Sequence, residues 1–319
     1  MAPPEIKALK GQSLGIMIRR IIQAIQKPYM VKYYFAKAFS PLVGDRFYID
    51  AVYTANFGKR PNLDAPQTYN EKLQWLKLHD RRPEYARLVD KSTVKPIVTE
   101  KVGQLGVRVI PTLKVYQNAE EIDFNALPGS FVLKCTHDSG SVVVCKDRDA
   151  FDEEKAIRKL KKALKRNFYY KSREYPYQYI KPQIIAEPYL SEIGEESLLD
   201  YKLFCFNGVC KYLFIASDRA TDVKFDYFDA QFNRLPIRQK AHPTSDRQFE
   251  KPACFETMKQ AAEILSQGIP QVRVDFYIIR NQIYFGEMTF FHHGGFVPFI
   301  PDEADREWGE QLQLPSEEK

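Results

Sequence analysis

The 319-residue sequence lacks the patterns that mark several classes of protein. It has no apolar run of 18 residues, so we expect no membrane-spanning helix. Its five cysteines form no CxxC pair, and an odd number with this spacing favours reduced thiols inside the cell over a disulfide framework. The sequence also has no internal repeat. With 44% hydrophobic and 28% charged residues, its composition predicts a globular fold rather than a disordered or collagen-like chain.

The excess of positive charge is confined to the N-terminal segment. The chain has 47 lysines and arginines against 41 acids, and residues 1–44 hold seven of these bases and one acid, Glu5. Residues 45–319 therefore balance, with 40 bases and 40 acids. A neutral body argues against a nucleic-acid partner, because nucleic-acid binding needs a basic footprint on the folded domain.

Residues 14–27 have the periodicity of an amphipathic helix, with apolar side chains on one face and Arg19, Arg20 and Lys27 on the other. The two arginines interrupt the apolar stretch and no small-residue cleavage site follows, so it does not resemble a secretory signal. Such a helix can lie on an anionic membrane, or pack on its own domain or a second copy. The first alternative predicts a cytoplasmic protein held peripherally at the inner face of the plasma membrane.

Lys134 lies in an otherwise apolar predicted strand, residues 130–135, where an unpaired ammonium is costly and requires an anion. A small polar turn follows at residues 137–141, and its glycine and serines leave backbone N–H groups open to phosphate oxygens. These features predict a strand-turn-strand phosphate loop, which has neither the GxxxxGK[ST] pattern nor the following helix of a Walker loop. The alternative is an ordinary hairpin with a lysine on an edge strand.

A predicted C-terminal hairpin places two carboxylates opposite each other. Strand alternation puts Arg273 and Asp275 on one face of the first strand, and Glu287 and Thr289 on one face of the second. With the turn centred on Asn281, Asp275 faces Glu287 and Arg273 faces Thr289. Facing carboxylates repel unless a cation lies between them, and an oxygen-only donor set favours Mg²⁺ or Mn²⁺. The alternative is a solvated polar face on which Arg273 bridges the two acids.

Two other predicted strands carry candidate residues. Strand 183–189 has Glu187 near its end, before Pro188, where backbone groups can meet an adenine edge. Lys202, in the predicted strand 200–206, can reach a phosphate or a substrate; a solvent-facing strand lysine is the alternative reading.

In their order along the chain, these segments resemble the ATP-grasp superfamily, and most closely the TupA-like ATP-grasp family associated with teichuronopeptide and other surface-polysaccharide synthesis. The resemblance runs from about residue 56 to 312, through TYNEKLQWLKLHD, LVDKSTVK, FVLKCTHDSGS, KPQIIAEPYL, DYKLFCFNG and VRVDFYIIRNQIYFGEMTF. It implies an α+β ATP-grasp fold, with two α+β subdomains clasping ATP after a helical N-terminal region. The domains expected are a basic arm (1–44), a helical region (45–106), a small subdomain (107–190) and a large subdomain with the metal site (191–319).

The resemblance also implies roles for individual residues. Arg273 is expected to stabilise the transferring phosphoryl group. Thr289 stands where the superfamily usually has asparagine, which leaves open whether one or two metal ions bind. The residues expected to bind ATP are Lys91, Lys134, Ser139, Gly140, Ser141, Glu187, Tyr189 and Leu190, with Lys202 as a further candidate, and those expected to bind the metal are Asp275, Glu287 and Thr289.

Enzymes of this superfamily activate a carboxylate as an acylphosphate, which an amine then attacks. The resemblance therefore predicts an ADP-forming, Mg²⁺-dependent ligase that makes a C–N bond on a carboxylated glycan or its sugar precursor. Amidation of a uronic acid by an amine or amino acid is one such reaction. The alternatives are an ATP-dependent glycan kinase on the same nucleotide site, and a non-catalytic accessory protein of polysaccharide synthesis.

Two further segments complete the predicted site. The tyrosine-rich segment 169–179, with Lys171 and Arg173, suits either a lid over sugar rings and carboxylates or a packed surface loop. His293, given a near-neutral pKa, would deprotonate the incoming amine, although a structural hydrogen-bonding role is the alternative. Backbone N–H groups of Gly294 and Gly295 would stabilise the oxyanion of the tetrahedral intermediate.

Overall fold

The computed structural model describes residues 28–190, 198–218 and 222–316. The chain divides into two compact units, residues 1–61 and 62–319, and each is described by itself. The amphipathic helix predicted at residues 14–27 lies outside the described residues. Within the ranges that the structure describes, every helix is too short or too polar to cross a bilayer.

The described part of the first unit is a pair of helices, α1 (Tyr29–Ala38) and α2 (Asp45–Phe57), joined by a short 3₁₀ turn. Asp50 of α2 accepts hydrogen bonds from Lys32 of α1 and from Arg60, whose Nε lies 2.8 Å from Asp50 Oδ1. This shared carboxylate ties the two helices to the segment that follows them.

The second unit contains helices that precede, separate and follow its strands. One of them, at residues 94–102, contains Pro96 in its first turn, where proline removes no intrahelical hydrogen bond. The helices of this unit are α3 (Tyr69–His79), α4 (Tyr85–Val89), α5 (Val94–Val102), α6 (Glu153–Leu164), α7 (Tyr169–Ser172), α8 (Phe255–Leu265) and α9 (Glu303–Gln311).

A six-stranded sheet forms the centre of the second unit. Its strands are β1 (Arg108–Val109), β6 (Asp200–Phe206), β7 (Val209–Ser217), β8 (Lys224–Asp229), β10 (Gln271–Ile279) and β11 (Gln282–Thr289). Their order is β1-β11-β10-β6-β7-β8, and all pairs are antiparallel except β1 with β11. The pairing of β1 with β11 places part of the predicted small subdomain in the larger sheet, and the subdomain boundaries stay a prediction.

A four-stranded antiparallel sheet has its own apolar core. Helix α6 covers it with Ala156, Leu160 and Ala163, and begins at Asp152, whose side chain accepts from the backbone N–H of Lys155. The strand order is β2-β5-β3-β4, and the strands are β2 (Lys114–Tyr116), β3 (Phe131–Cys135), β4 (Val142–Cys145) and β5 (Ile184–Pro188). A separate two-stranded pair joins β9 (Arg238–Gln239) to β12 (Phe299–Ile300).

The second unit has the strands that its periodicity predicted, with ends that differ by at most one residue. The predicted strands 130–135, 183–189 and 200–206 are β3, β5 and β6. The closing hairpin is β10 with β11. The mixed α+β class predicted from the sequence is therefore confirmed.

Candidate active site

The hairpin β10–β11 has the predicted pairing at the end that carries the charged residues. Asp275 pairs with Glu287, and Arg273 pairs with Thr289. The turn itself differs from the expected one, because it consists of two residues, Arg280 and Asn281, which both have positive φ. Near the turn, each residue of β10 therefore pairs with a β11 residue one position away from its predicted partner.

A β-bulge at Gly286 restores the predicted pairing further along the hairpin. The register shifts between Asp275 and Phe276, so that Phe276 pairs with Phe285 and Gly286 has no direct partner on β10. A Cβ atom at residue 286 would lie 3.0 Å from Tyr277 Cε2 and 3.2 Å from the Asp275 carbonyl oxygen. The absence of a side chain at Gly286 thus allows the bulge that brings Glu287 opposite Asp275.

Arg273 holds the two carboxylates together. Its Nε lies 2.6 Å from Asp275 Oδ1 and its Nη2 lies 2.7 Å from Asp275 Oδ2, a bidentate pair. Nη2 also donates to Glu287 Oε1 at 3.2 Å and to Thr289 Oγ1 at 2.9 Å. The guanidinium therefore bridges the two acids, as the alternative interpretation of the hairpin proposed. This face of the hairpin is not solvated as that alternative expected, because Arg273 and Asp275 are buried.

Lys202 is the second cation at Asp275. It lies opposite Asp275 on the neighbouring strand β6, is buried, and donates a hydrogen bond to the Asp275 carboxylate. The solvent-facing alternative for Lys202 is therefore wrong. Burial would raise the pKa of Asp275, but the charges and hydrogen bonds of Arg273 and Lys202 together hold that pKa below its ordinary value. Asp275 is thus ionised at neutral pH.

Glu187 lies on β5 of the four-stranded sheet, and its carboxylate lies between two lysines. Its Oε1 is 2.6 Å from Lys95 Nζ, and its Oε2 is 2.7 Å from Lys134 Nζ. Burial would raise the pKa of Glu187, but the two ammonium groups lower it below the ordinary value. The anion that Lys134 requires in its apolar strand is therefore Glu187.

Lys95 is a site residue that the sequence analysis did not identify. It lies in the first turn of α5, within the VDKSTVK segment from which Lys91 was chosen. The signal that could have identified Lys95 is its spacing, because it lies four residues after Lys91 in a segment already assigned to phosphate binding. Burial is the main cause that lowers the pKa of Lys95, in spite of the opposing charge of Glu187.

The predicted strand-turn-strand element is present between β3 and β4. Gly140 in this turn has a φ of 98°, a conformation that favours glycine, and Ser141 Oγ donates to the carboxylate of Asp138. Lys91 lies in the turn before α5, and its ammonium donates to the carbonyl oxygen of Asp138. Lys91 therefore contacts the backbone of this turn, and the turn's phosphate role stays a prediction.

A cavity of about 270 Å³ in the second unit brings groups from both sheets together. Apolar side chains that the sequence analysis did not single out form part of its wall, which suits an aromatic base, while the lysines suit phosphates. The charged and turn residues that line it are Lys91, Lys95, Lys134, Ser139, Gly140, Glu187, Lys202 and Glu287, and the apolar and aromatic ones are Val94, Val109, Ile110, Val142, Tyr277 and Phe285, together with Gly286.

The metal-binding potential of the site rests on Asp275, Glu287 and Thr289. Over the described residues, no group of three or more His, Cys, Asp or Glu side chains is arranged to hold a metal ion by itself. Two carboxylates and a hydroxyl nevertheless fit Mg²⁺, which is commonly bound by one or two carboxylates and completed by substrate phosphates. The Glu287 side chain is 37% exposed and lines the cavity, while both Asp275 oxygens accept from Arg273 and Lys202.

The segment 169–179 is packed in this structure. It consists of α7 and a short 3₁₀ turn, and Arg173 is buried with its guanidinium 5.2 Å from the ring centre of Tyr169. Lys171 is exposed. The arrangement agrees with the packed-segment alternative, so Arg173 is not presented to solvent here, and closure as a lid stays a prediction.

His293 does not have the near-neutral pKa expected of a catalytic base. Burial, followed by the nearby positive charge of Arg273 and by His242, lowers the pKa of His293 to about 3. Its imidazole is therefore neutral and only weakly basic at physiological pH. That expectation was wrong because burial of the ring is a tertiary property.

The two glycines after His293 are held by helix α3. Gly294 and Gly295 each have a φ of 63°. Gln74 Nε2 donates to the Gly295 carbonyl at 2.7 Å, and Lys77 Nζ donates to the Gly294 carbonyl at 2.6 Å. The side chains of Gln74 and Lys77 are both buried, so these hydrogen bonds hold the turn from the protein interior. The predicted oxyanion role of its N–H groups stays a prediction.

Comparison with known proteins adds a family. A sequence model of the TupA-like ATP-grasp family matches residues 71–313. No curated protein matches the chain.

Solved structures show similarity at low identity. The chain is similar to D-alanine–D-alanine ligase from Helicobacter pylori, with 17% identity, 70% of this chain and 63% of that chain covered, and a TM-score of 0.35. It is similar to the D-cycloserine synthetase DcsG, with 18% identity, 71% of each chain and a TM-score of 0.34. For the ATP-grasp ligase PsnB with its minimal precursor, the identity is 10%, the coverage 66% and 54%, and the TM-score 0.36. The chain thus spans less than two thirds of the H. pylori ligase and of PsnB.

Proposed function

The chain belongs to the TupA-like ATP-grasp family, and from this premise we propose that it is an ADP-forming carboxylate–amine ligase. The family match also confirms the resemblance identified from the sequence. In the proposed reaction, the γ-phosphoryl group of ATP passes to a substrate carboxylate and ADP is released. An amine nitrogen then attacks the acyl carbon of the acylphosphate, inorganic phosphate leaves, and a C–N bond is formed.

The observation that carries this proposal is the convergence of lysines from both sheets in one cavity. Lys134 reaches it from the smaller sheet, Lys202 from the larger sheet and Lys95 from helix α5, and Glu187 and Glu287 lie in the same lining. Several ammonium groups in one cleft match the charge of a triphosphate. Glu187 accepts from Lys95 and Lys134 in this structure, so it keeps the two ammonium groups in place where phosphate oxygens would bind.

The remaining residues have roles in orientation and charge. Arg273 fixes Asp275 and Glu287 side by side, which prepares an oxygen-donor set for Mg²⁺ or Mn²⁺. The metal ion, when bound with the nucleotide, neutralises charge on the phosphates. The backbone of Tyr189 and Leu190 would bind the adenine edge. The turn 139–141 would cover the phosphates.

We propose a carboxylated surface glycan or its sugar precursor as the acceptor, and an amine or amino acid as the second substrate. This substrate class follows from the family resemblance. The segment 169–179, with Lys171 exposed, and the Gly294–Gly295 turn are the parts of the chain we assign to acceptor binding. We place the reaction at the inner face of the plasma membrane.

An assay of nucleotide products tests the proposed reaction. The purified protein is supplied with ATP, Mg²⁺, a uronic acid and an amino acid, and each component is omitted in turn. We expect ADP only when carboxylate and amine are both present, and a product whose mass is that of the two substrates less one water. AMP with pyrophosphate would exclude this chemistry, and a phosphorylated sugar formed without amine would identify a kinase.

Glu287→Gln tests the assignment of the site. Because the amide keeps the shape and removes the charge, we expect ADP formation to fall by at least about 100-fold while the thermal unfolding curve is unchanged. Glu120→Gln, which alters an exposed glutamate of the same unit, is the control and should leave turnover unchanged. Full turnover by Glu287→Gln would remove this carboxylate from the mechanism.

A further inference from the structure

A patch of exposed apolar side chains lies on the helix pair α1 and α2 of the first unit. Of the twelve large apolar side chains that are exposed in the described residues, five fall between residues 31 and 47. They are Val31 (56% exposed), Phe35 (48%), Phe39 (46%), Leu42 (81%) and Phe47 (39%). This density is far above that of the other described residues, and we call these five residues the aromatic patch.

Four residues of the aromatic patch, Val31, Phe35, Phe39 and Phe47, form a contiguous group. Val31, Phe35 and Phe39 are spaced four residues apart along α1 and its C-terminal end, so they share one face. The ring of Phe35 lies 4.9 Å from that of Phe39 and 6.1 Å from that of Phe47, which joins the two helices across the patch. Scattered exposed apolar residues are ordinary, but a contiguous group of this kind marks a surface that docks on something.

The surroundings of the aromatic patch are basic. Residues 28–61 contain five bases and two acids, and the ammonium of Lys32, which pairs with Asp50, lies 4.9 Å from the ring centre of Phe47. The preceding residues 1–27 contain five bases and one acid. The partner that complements this surface is therefore both apolar and negatively charged.

We propose that the aromatic patch docks on an anionic lipid bilayer. Phe35, Phe39 and Leu42 would enter the boundary between headgroups and acyl chains, and the net positive charge of the first unit would attract it to anionic headgroups. A second copy of this unit, or the basic segment 1–27, would bring like charges together, whereas an anionic bilayer attracts both. This inference does not depend on the proposed ligase activity, because it concerns a different unit of the chain.

Co-sedimentation of the full chain with vesicles tests the proposal. The vesicles consist of phosphatidylcholine with or without phosphatidylglycerol. We expect binding to the anionic vesicles, and at least about a tenfold lower partition coefficient for the triple variant Phe35→Ser, Phe39→Ser, Leu42→Ser. The control replaces three exposed apolar side chains of the second unit, Leu113→Ser, Val144→Ser and Val209→Ser, and should bind as the wild type does.

Three outcomes would overturn the proposal. The first is absence of wild-type binding to anionic vesicles. The second is unchanged binding by the triple variant, which retains residues 1–27 and would thereby assign the membrane contact to them. The third comes from sedimentation velocity without lipid: a wild-type dimer that the triple variant converts to a monomer would show that a second copy covers the patch. Equal circular dichroism spectra would establish that both triple variants are folded.

Discussion

The charged residues of the candidate site are held in place by opposite charges. Glu187 accepts from Lys95 and Lys134, while Asp275 accepts from Arg273 and Lys202. Each carboxylate is buried and still has a lowered pKa, because two cationic neighbours outweigh the desolvation of the anion. Removing one member of such a group leaves an uncompensated buried charge, so these residues contribute to stability apart from any part in ligand binding.

Glu187→Gln is expected to reduce the stability of the protein and to make that stability less dependent on pH. The folded-state pKa of Glu187 lies below its ordinary value of 4.5, so its stabilising contribution is complete above that pH and is lost as the pH falls through the folded-state pKa. At pH 7 we expect the variant to lose about 2 kcal/mol of unfolding free energy, since the lysines are partly exposed. At pH values below the ordinary pKa of Glu187, the stability of the variant should fall less steeply with decreasing pH than that of the wild type.

Urea unfolding at a series of pH values measures both effects of Glu187→Gln. The control is Glu120→Gln, because Glu120 and Lys161 form an ion pair in which both side chains are more than half exposed. This control should unfold close to the wild type at every pH. Parallel pH curves for wild type and Glu187→Gln would contradict the assignment of the buried charge group.

At the scale of secondary structure, the geometry of the carboxylate pair depends on one bulge. The two-residue turn of the β10–β11 hairpin sets one register, and Gly286 shifts it so that Glu287, rather than its neighbour, lies opposite Asp275. Since successive side chains on a strand point to opposite faces, a shift of one residue would move Glu287 to the opposite face of the sheet. The bulge is therefore a requirement for the site rather than an irregularity of the sheet.

Gly286→Ala is expected to disturb this register. The added Cβ would meet the Asp275 carbonyl oxygen at 3.2 Å, an atom that belongs to the paired backbone. We expect a loss of about 1–3 kcal/mol in unfolding free energy, and a fall in turnover larger than the unfolded fraction accounts for. Denaturant unfolding and the ADP assay measure the two quantities.

Gly129→Ala is the matched control for this prediction, because a Cβ there meets no atom within 4 Å and its φ is not positive. It should leave both stability and turnover close to wild type. If Gly286→Ala behaves in the same way as Gly129→Ala, the bulge does not control the carboxylate pair.

At the scale of the whole molecule, the candidate site belongs to one of the two units. Every residue that lines the 270 Å³ cavity falls between residues 91 and 287, within the second unit. Both sheets and their apolar cores also lie in that unit. The candidate site and the aromatic patch therefore belong to separate units of the chain.

A chain consisting of residues 62–319 is expected to bind ATP with Mg²⁺ within about threefold of the full chain's affinity, because it retains the whole cavity lining and both cores. Isothermal titration calorimetry measures the affinity, and vesicle co-sedimentation of the same protein should show no lipid binding. A folded 62–319 chain that fails to bind ATP would show that the first unit contributes to the nucleotide site.

Local periodicity accounts for the parts of this structure that could be predicted. The alternation in β10 and β11 and the packing stripe of α6 are repeated over enough residues to identify each element. The pairing of Asp275 with Glu287 was also predicted, although the expected turn was one position off and the bulge at Gly286 compensated for it. A bulge of this kind adds only one residue to a strand, so it hardly changes the alternating sequence pattern from which the strand is predicted.

The sequence by itself determined the fold class, the family, most of the strands and helices, and the candidate pair Asp275 and Glu287. Tertiary structure alone decided which lysines pair with Glu187 and Asp275, because Lys95 is 92 positions from Glu187 and Lys202 is 73 positions from Asp275. It likewise decided the low pKa of His293, which depends on burial. The physical reason is that periodicity records the face on which a side chain lies, whereas ion pairs and desolvation depend on distant segments packed against that face.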